Sequence, residues 1–179
     1  MISVKPKIIG LTGGIATGKS AAAAYLKELH IPVIDSDVIV KNLWKNDISM
    51  VQEAEKLFGF SIREKTDFKQ IADIIFSDDK KRKALNQIVH PRVFKHIENE
   101  KEYMDGFPFV VIDMPLLIEA HYQDRVDLIV MIYANRNTQI RRLVDRDGLS
   151  IAEATLRVDS QMPVDEKRRY ADYVIENER

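Results

Sequence analysis

The segment IIGLTGGIATGKS, residues 8 to 20, combines glycines, a lysine and a serine in a spacing that can bind phosphate. Gly13, Gly18, Lys19 and Ser20 fit the Walker A pattern G-x-x-x-x-G-K-[ST]. Glycines let backbone N–H groups approach an anion closely, the lysine contacts the β- and γ-phosphates, and the serine hydroxyl binds Mg²⁺. The pattern predicts binding of a nucleoside triphosphate; the alternative is a glycine-rich turn without a ligand.

The remainder of this loop is expected to contribute backbone N–H groups. Many such loops continue with a second hydroxyl residue that reaches the α-phosphate, but Ala21 stands at that position here. The α-phosphate must therefore rely on N–H groups. The loop residues that we expect to contact ATP are Gly13, Gly14, Ile15, Ala16, Thr17, Gly18, Lys19, Ser20 and Ala21.

Two carboxylates follow the next short apolar segment, in PVIDSD. Ligands of open parallel sheets bind beyond the carboxyl ends of the strands, so Asp35 and Asp37 are expected beside the phosphate loop. We expect Asp37 to accept the proton of an attacking hydroxyl, and Asp35 to help bind Mg²⁺ together with Ser20. The alternative is that Asp37, or Ser36, only caps the next helix.

Arginines form the third group with possible chemistry. Gln139, Arg142 and Arg146 are spaced i, i+3 and i+7, which places them on one face of a helix. Arg142 is expected to point at a transferring phosphoryl group while its neighbours stay solvated. The alternative is an ordinary solvent-facing helix rich in arginine.

Two further residues are ambiguous from the sequence. Asp113 ends the apolar run FVVID, as the aspartate of a Walker B motif does, and either contacts Mg²⁺ through water or is structural. His90 precedes Pro91 at an expected helix break, where it either binds a ligand or caps the helix.

Composition narrows the functional class. The 179 residues are 45% hydrophobic, which is enough for a buried core. The 27 basic and 28 acidic side chains give a net charge of -1, so we expect no nucleic-acid and no membrane partner. No cysteine is present, and the amino terminus lacks the apolar core of a signal peptide. We expect a cytoplasmic monomer.

Short apolar runs alternate with helical patterns along the chain. Runs at IIGL, PVID, FVVIDMPLL, VDLIVMIYA and DYVIEN predict buried strands, and the segment from about Val40 to Met104 has helical spacing throughout. We therefore predict an α/β fold with a parallel central sheet flanked by helices. A core of residues 1–39 and 105–179 would carry a helical insertion at 40–104.

Local signals predict several helix boundaries. Ser77 is expected to cap the helix that follows it, and Pro91 to interrupt or restart that helix because proline lacks an N–H group. Gly148 is expected to end the arginine-rich helix, and Ser150 with Glu153 forms a capping box at the start of the next one.

Several motifs occur together in one order: IGLTGGIATGKS, VIDSDVI, NQIVHPRV, PLLIE, QIRRLVDRDG, SQMP and ADYVIEN. In these runs, which span nearly the whole chain, the sequence resembles the dephospho-coenzyme A kinases. The resemblance implies a P-loop kinase core, a helical domain for the coenzyme A precursor, and a small helical lid at about 138–170. It also implies transfer of the γ-phosphoryl group of ATP to the ribose 3′-hydroxyl of dephospho-coenzyme A, with Mg²⁺.

The resemblance also implies roles for individual residues. Asp37 would be the base, Lys19 and Ser20 the phosphate and magnesium residues, and Arg142 the arginine of the lid. Asn177 would lie near the adenine of ATP. The residues implied on the acceptor side, besides Asp37, are His90, Pro91, Leu116, Leu117 and Glu119.

Three positions depart from the family pattern. Ser36 stands between the two aspartates where alanine is usual, and Arg92 follows His90-Pro91 where an apolar residue is more usual. Family members also tend to continue after the asparagine with glycine and another helix. Here the sequence reads Asn177-Glu178-Arg179, so we expect either that this helix is missing or that the chain is truncated.

Other nucleotide-binding classes fit less well. A GTPase switch would need the guanine-reading NKxD run, which does not occur, and the loop lacks the G-x-P-G-x-G-K form of adenylate kinases. Two alternatives stay open: a kinase for another small hydroxyl or nucleotide acceptor, and a nucleotide-binding regulator without transferase activity.

Overall fold

The computed structural model describes residues 5–178, apart from the side chain of Phe76. The chain divides into two compact units. One comprises Met1–Asp35 and Glu100–Arg179, and the other is the intervening segment Ser36–Asn99. In the described part of the chain, no helix is both long enough and apolar enough to cross a membrane.

The first unit is built on a parallel five-stranded sheet with the order β2-β3-β1-β4-β5. This confirms the predicted α/β class and the five predicted strand positions. The strands are β1 Lys7–Gly13, β2 Val33–Asp35, β3 Phe109–Asp113, β4 Leu128–Tyr133 and β5 Tyr173–Glu176. Because all strands run the same way, their carboxyl ends lie along one edge of the sheet.

The register places two aspartates side by side at that edge. Asp113, the last residue of β3, is the register partner of Asp35 on β2 and of Leu11 on β1. On the other side of β1, Gly13 pairs with Ile132 of β4. The phosphate loop therefore leaves the sheet from a central strand that is flanked by β3 and β4.

Eight α-helices are present among the described residues, together with 3-10 turns at Gln123–Arg125 and Arg168–Tyr170. The first unit contains α1, α6, α7 and α8, and the second contains α2 to α4 and all of α5 except its last two residues. The helices are α1 Lys19–Glu28, α2 Ser36–Asn46, α3 Ile48–Phe58, α4 Lys65–Ser77, α5 Asp79–Lys101, α6 Arg136–Asp147, α7 Ile151–Asp159 and α8 Val164–Lys167.

Two apolar clusters hold α1, α6 and α7 in place. The first joins Ala23 of α1 to Leu11, Val111 and Ile132 of the sheet. The second contains Leu143, Ala154 and Val158 of α6 and α7, and Ile15 and Ala16 of the phosphate loop pack against it. The phosphate loop is therefore supported by the sheet at one end and by the α6–α7 pair along its length.

The predicted ends of α6 and α7 are confirmed. Gly148 ends α6 with φ 66°, in the left-handed region that glycine adopts without strain. Ser150 and Glu153 form the expected capping box, in which the Glu153 N–H donates to the Ser150 hydroxyl at 3.2 Å and the Ser150 N–H donates to the Glu153 carboxylate at 2.9 Å. The Ser150 hydroxyl also donates to the Glu153 carboxylate at 2.6 Å, and this bond, followed by the bond from the Ser150 N–H, lowers the pKa of Glu153.

Two predictions about α5 are wrong. Pro91 does not interrupt this helix, which runs unbroken through it from Asp79 to Lys101. Four apolar side chains on both sides of the proline are buried, and their packing offsets the lost backbone hydrogen bond. They are Leu85, Val89, Val93 and Ile97. The cap is Asp78 rather than Ser77, because the Asp78 carboxylate accepts from the N–H groups of Lys80 and Lys81.

Arg92, which follows the proline, bonds both within α5 and to the segment around α3. Its Nη1 donates to the Ile88 carbonyl at 2.7 Å, next to the turn that the proline disturbs. Its other donors reach Glu53 at 2.6 Å and Asp47 at 3.3 Å, and the pKa of Arg92 is raised, mainly by the Glu53 bond. The charged residue at this position therefore joins α5 to the start of α3 within the second unit.

Candidate active site

The phosphate loop connects β1 to α1 and needs its glycines for steric reasons. A Cβ on Gly13 would lie 2.7 Å from the Ile132 carbonyl oxygen and 2.7 Å from the Thr17 hydroxyl. Gly18 has φ 98°, a conformation that favours glycine, and Ala16 has φ 59°. The Thr17 hydroxyl closes the turn by donating to the Gly14 carbonyl at 2.9 Å.

Lys19 of this loop forms an ion pair with Asp113 at the end of β3. Nζ lies 2.5 Å from Oδ1, and the side chains are only 11% and 5% exposed. Low exposure strengthens the attraction, since little water screens it. The structure thus ties the lysine of the phosphate loop directly to the aspartate whose role the sequence left open.

Three side chains donate hydrogen bonds to successive carbonyls of the loop. Gln139 Nε2 donates to the Ile15 carbonyl at 2.6 Å, and Arg142 Nη1 to the Ala16 carbonyl at 3.1 Å. Asn177 Nδ2 donates to the Thr17 carbonyl at 2.9 Å. Two residues of α6 and one that follows β5 therefore meet at this loop.

The predicted arginine face of α6 is only partly as expected. Arg142 reaches the loop, where its Nη2 also donates to the Asn177 carbonyl at 2.8 Å. Arg146 is solvent-exposed and pairs with Asp147, which lowers the pKa of Asp147. Gln139 was expected to stay solvated and does not, because its side chain is 1% exposed and packs over Gly14.

Asn177 occupies a fixed place after the last strand. Its N–H donates to the Tyr133 carbonyl at 2.8 Å, and a Cβ on Gly18 would collide with its amide nitrogen. Next to it, the Glu178 carboxylate accepts from the Asn135 N–H at 2.6 Å, at the start of α6. The segment after β5 is thus bonded both to the phosphate loop and to α6.

The proposed magnesium and base residues lie on or shortly after β1 and β2 in the sequence. Ser20 is exposed in the first turn of α1, and Asp35 ends β2 with its carboxylate 3.9 Å from Lys27 Nζ. Asp37 is exposed in the first turn of α2, where a carboxylate interacts favourably with the helix dipole. Asp37 belongs to the second unit and Asp35 to the first.

The expected acceptor residues fall into two groups. His90 and Pro91 lie on α5 in the second unit, and the His90 ring stacks on Phe94 with centroids 5.8 Å apart. In the first unit, Leu116 is exposed, whereas Leu117 is completely buried and packs over Gly10. The contact of Leu117 with the acceptor stays a prediction.

Glu119 is held by a lysine that the sequence analysis missed. Lys167 is fully buried, and its Nζ donates to Glu119 at 2.9 Å and to the Pro115 carbonyl at 2.9 Å. The Met162 N–H also donates to Glu119, at 3.3 Å. No local pattern singles out this lysine, because its partners are about fifty residues away in the sequence.

A tyrosine at the end of β4 has a shifted pKa. The Tyr133 hydroxyl donates to the Asp165 carboxylate at 2.8 Å, and the cation of Arg168 lies 5.1 Å from the ring centroid. The bond to Asp165, followed by burial, raises the pKa of Tyr133. The hydroxyl thus joins the end of β4 to α8 as a donor to Asp165.

The donor atoms near the loop suit magnesium. Ser20, Asp35 and Asp113 offer only hydroxyl and carboxylate oxygens, which are the ligands that Mg²⁺ prefers. Within residues 5–178, no group of three or more His, Cys, Asp or Glu side chains is placed to hold a metal by itself.

Known proteins resemble this chain over nearly its whole length. The family model described as dephospho-CoA kinase matches residues 7–179. The dephospho-CoA kinase of Shouchella clausii is 39% identical over 174 residues, which cover 94% of this chain and 88% of that protein. The crystal structure of TT1252 from Thermus thermophilus has a TM-score of 0.84 at 34% identity, covering 97% of this chain and 90% of that one.

A second solved structure carries the same name as the family model. The dephospho-CoA kinase from Campylobacter jejuni is 26% identical, with a TM-score of 0.67. The alignment covers 96% of this chain and 88% of that one. The family model and the similar proteins therefore all match nearly the whole of this chain.

Proposed function

Because the chain belongs to the dephospho-CoA kinase family, we propose that it transfers the γ-phosphoryl group of ATP to the ribose 3′-hydroxyl of dephospho-coenzyme A. The products are coenzyme A and ADP, and the reaction is the final step of coenzyme A biosynthesis. The observation that carries this proposal is the match of residues 7–179 to the family, together with a glycine-rich loop built around Lys19.

The ATP side of the proposal uses the phosphate loop. Gly13 to Ala21 surround the phosphates with N–H groups, and Lys19 neutralises the β- and γ-phosphates. Lysine has three donors, so Lys19 can keep its bond to Asp113 while it binds phosphate. Asn177 is proposed near the adenine, since its amide already contacts the loop.

Ser20 and Asp35 are the proposed magnesium residues, and Asp113 is a further carboxylate at the same sheet edge. Bound Mg²⁺ would neutralise charge on the phosphates during transfer. The contribution of the chain is to present oxygen donors at the ends of neighbouring strands, which the register of Asp35 and Asp113 supports.

Asp37 is the proposed general base. It accepts the proton of the 3′-hydroxyl as that oxygen forms a bond to the γ-phosphorus, and the bond from the γ-phosphorus to its bridging oxygen breaks. ADP leaves with the electron pair of that bond. Asp37 follows the end of β2 by two residues and is exposed, so its carboxylate is accessible to a substrate hydroxyl.

Arg142 is proposed to neutralise charge on the phosphoryl group during transfer. Its guanidinium already lies against the phosphate loop, and it is carried by the segment proposed as the lid, about 138–170. Transfer depends mainly on positioning and charge neutralisation, so this placement matters more than covalent chemistry.

Two sets of residues are proposed for the coenzyme A precursor, as the family resemblance implies. His90 and Pro91 belong to the helical segment 40–104. Leu116, Leu117 and Glu119 belong to the core of residues 1–39 and 105–179. The protein is proposed to work as a monomer in the cytoplasm, with ATP and dephospho-coenzyme A as its small-molecule partners.

An acceptor panel tests the proposal against its two alternatives. The protein is incubated with ATP, Mg²⁺ and one of dephospho-coenzyme A, nucleoside monophosphates or shikimate, and ADP release is measured. Release that depends on dephospho-coenzyme A supports the proposal. Release that depends on another acceptor would indicate a different kinase, and ATP binding without any acceptor-dependent release would indicate a regulator.

A further inference from the structure

The two peptide groups on either side of the Ile15 Cα, in the middle of the phosphate loop, are each held by a glutamine side chain. Its N–H donates to Gln161 Oε1 at 2.8 Å, and its carbonyl accepts from Gln139 Nε2 at 2.6 Å. Gln139 lies on α6, and Gln161 follows the end of α7. We call this pair the glutamine clamp.

The chemistry of the partners fixes which amide atom faces the loop. A carbonyl can only accept, so Gln139 must present its NH₂ group, and an N–H can only donate, so Gln161 must present its oxygen. The two glutamines therefore have opposite roles that a leucine of similar size could not take over.

Burial of a polar side chain at the position of Gln139 costs folding free energy. Its side chain is 1% exposed, and its Oε1 is buried with no hydrogen-bond partner among the described residues. Space for the amide exists only because residue 14 is glycine, since a Cβ there would collide with Nε2. An apolar residue would avoid the unpaired oxygen, so the bond to Ile15 explains why a polar group is present.

The clamp also fixes the direction of a donor. Peptide bonds in the described part of the chain are trans, so the N–H of Ala16 points opposite to the Ile15 carbonyl that Gln139 holds. Ala16 itself has φ 59°, which an alanine keeps only where its surroundings enforce it. The Arg142 bond to the Ala16 carbonyl holds the other side of this residue.

We propose that Gln139 and Gln161 are positioning residues for the phosphate loop: Gln139 holds the Ile15–Ala16 peptide so that the Ala16 N–H faces the phosphates of the nucleotide, and Gln161 holds the adjoining Gly14–Ile15 peptide in place. The inference rests on the proposed function, because it assigns the loop to ATP. It also links α6 and α7 to the affinity for ATP, since each glutamine belongs to one of these helices or its end. The clamp should leave the affinity for dephospho-coenzyme A unchanged.

The test compares Gln139→Leu and Gln161→Leu with a matched control, Gln123→Leu. Gln123 also has a buried amide oxygen without a partner among the described residues, but it lies in the 3-10 turn Gln123–Arg125. The dissociation constant of ATP with Mg²⁺ is measured by titration calorimetry without any acceptor. The KM values for ATP and dephospho-coenzyme A and the unfolding midpoint in urea are then measured for each variant.

Each clamp variant is expected to weaken ATP binding about fivefold to tenfold, the loss expected for one hydrogen bond. The KM for dephospho-coenzyme A should change less than about twofold, and Gln123→Leu should bind ATP like the wild type. Unchanged ATP affinity in both clamp variants, or an equal loss in Gln123→Leu, overturns the proposal. If Gln139→Leu does not fold, the half-buried Gln161 decides the outcome alone.

The same measurements separate this inference from the proposed function. A wild-type protein that binds ATP but releases no ADP with dephospho-coenzyme A contradicts the proposed function. The direct ATP affinities of the variants would still decide whether the clamp positions the loop.

Discussion

Gly13→Ala is the substitution whose effect the structure defines most closely. The added Cβ would lie 2.7 Å from the Ile132 carbonyl oxygen, and ordinary contacts begin at 3.4 Å, so backbone atoms must separate by about 0.7 Å. The Ile132 carbonyl belongs to β4, an interior strand of the sheet, and the Thr17 hydroxyl, which the Cβ would also contact, is bonded to the Gly14 carbonyl. Neither group can therefore rotate away from the added Cβ. Overpacking of this kind costs about 1–3 kcal/mol.

The matched control is Gly59→Ala in the second unit. Gly59 has φ 82°, and nothing lies within 4 Å of the position of an added Cβ. Its substitution should also cost about 1–2 kcal/mol, but through the left-handed backbone alone. The two variants therefore lose similar amounts of unfolding free energy for different reasons.

Urea unfolding and the dissociation constant of ATP separate the two effects. We expect both variants to be destabilised and only Gly13→Ala to lose ATP affinity, by roughly tenfold or more, because its loop must move away from β4. A Gly13→Ala variant with wild-type stability and wild-type ATP affinity would refute the reasoning. Equal losses of ATP affinity in both variants would also refute it.

Three further predictions concern other parts of the protein. Asp37→Asn and Lys19→Ala should both fold normally. Asp37→Asn should lower kcat by roughly 10²–10⁴, and undiminished turnover of this variant would rule out the role of Asp37 as base. Lys19→Ala should weaken ATP binding. Lys167→Met should cost about 3 kcal/mol in urea unfolding because it leaves Glu119 without its cation, and Glu119→Gln in the same chain should recover part of that loss. Asp47→Ala should cost about 1 kcal/mol as a lost N-cap. Bonds from Ser49 and Met50, aided by Arg92, lower the pKa of Asp47 below 3.8. The free energy of unfolding of the wild type should therefore exceed that of Asp47→Ala by its full amount above about pH 4, and the difference should shrink as the pH falls through the lowered pKa. A difference in unfolding free energy that is independent of pH between about 2 and 7 would contradict this.

Features that depend on neighbouring residues in the sequence were predictable. The phosphate loop follows from glycine and lysine at fixed spacing, and the five strands follow from short apolar runs. The end of α6 at Gly148 and the start of α7 at Ser150 follow from local capping chemistry. In each case the decisive interactions lie within a few residues of one another.

Features that depend on distant partners were not predictable in the same way. Pro91 has a strong local preference against helix, but buried side chains on both sides of it outweigh that preference. Gln139 has the same polarity as any solvent-exposed glutamine, and only its contact with Ile15 reveals its role. The partners of Lys167 and of Lys19 also come from segments that the fold brings together.

The central claim is the transfer of phosphate to one hydroxyl, and the identity of the product tests it most directly. The protein is incubated with ATP, Mg²⁺ and dephospho-coenzyme A, and the product is analysed by mass spectrometry and phosphorus NMR. We predict a single new phosphomonoester on the ribose 3′-oxygen, formed in equal amount to ADP. ADP that forms without a phosphorylated acceptor, or a phosphate at another position, would contradict the account.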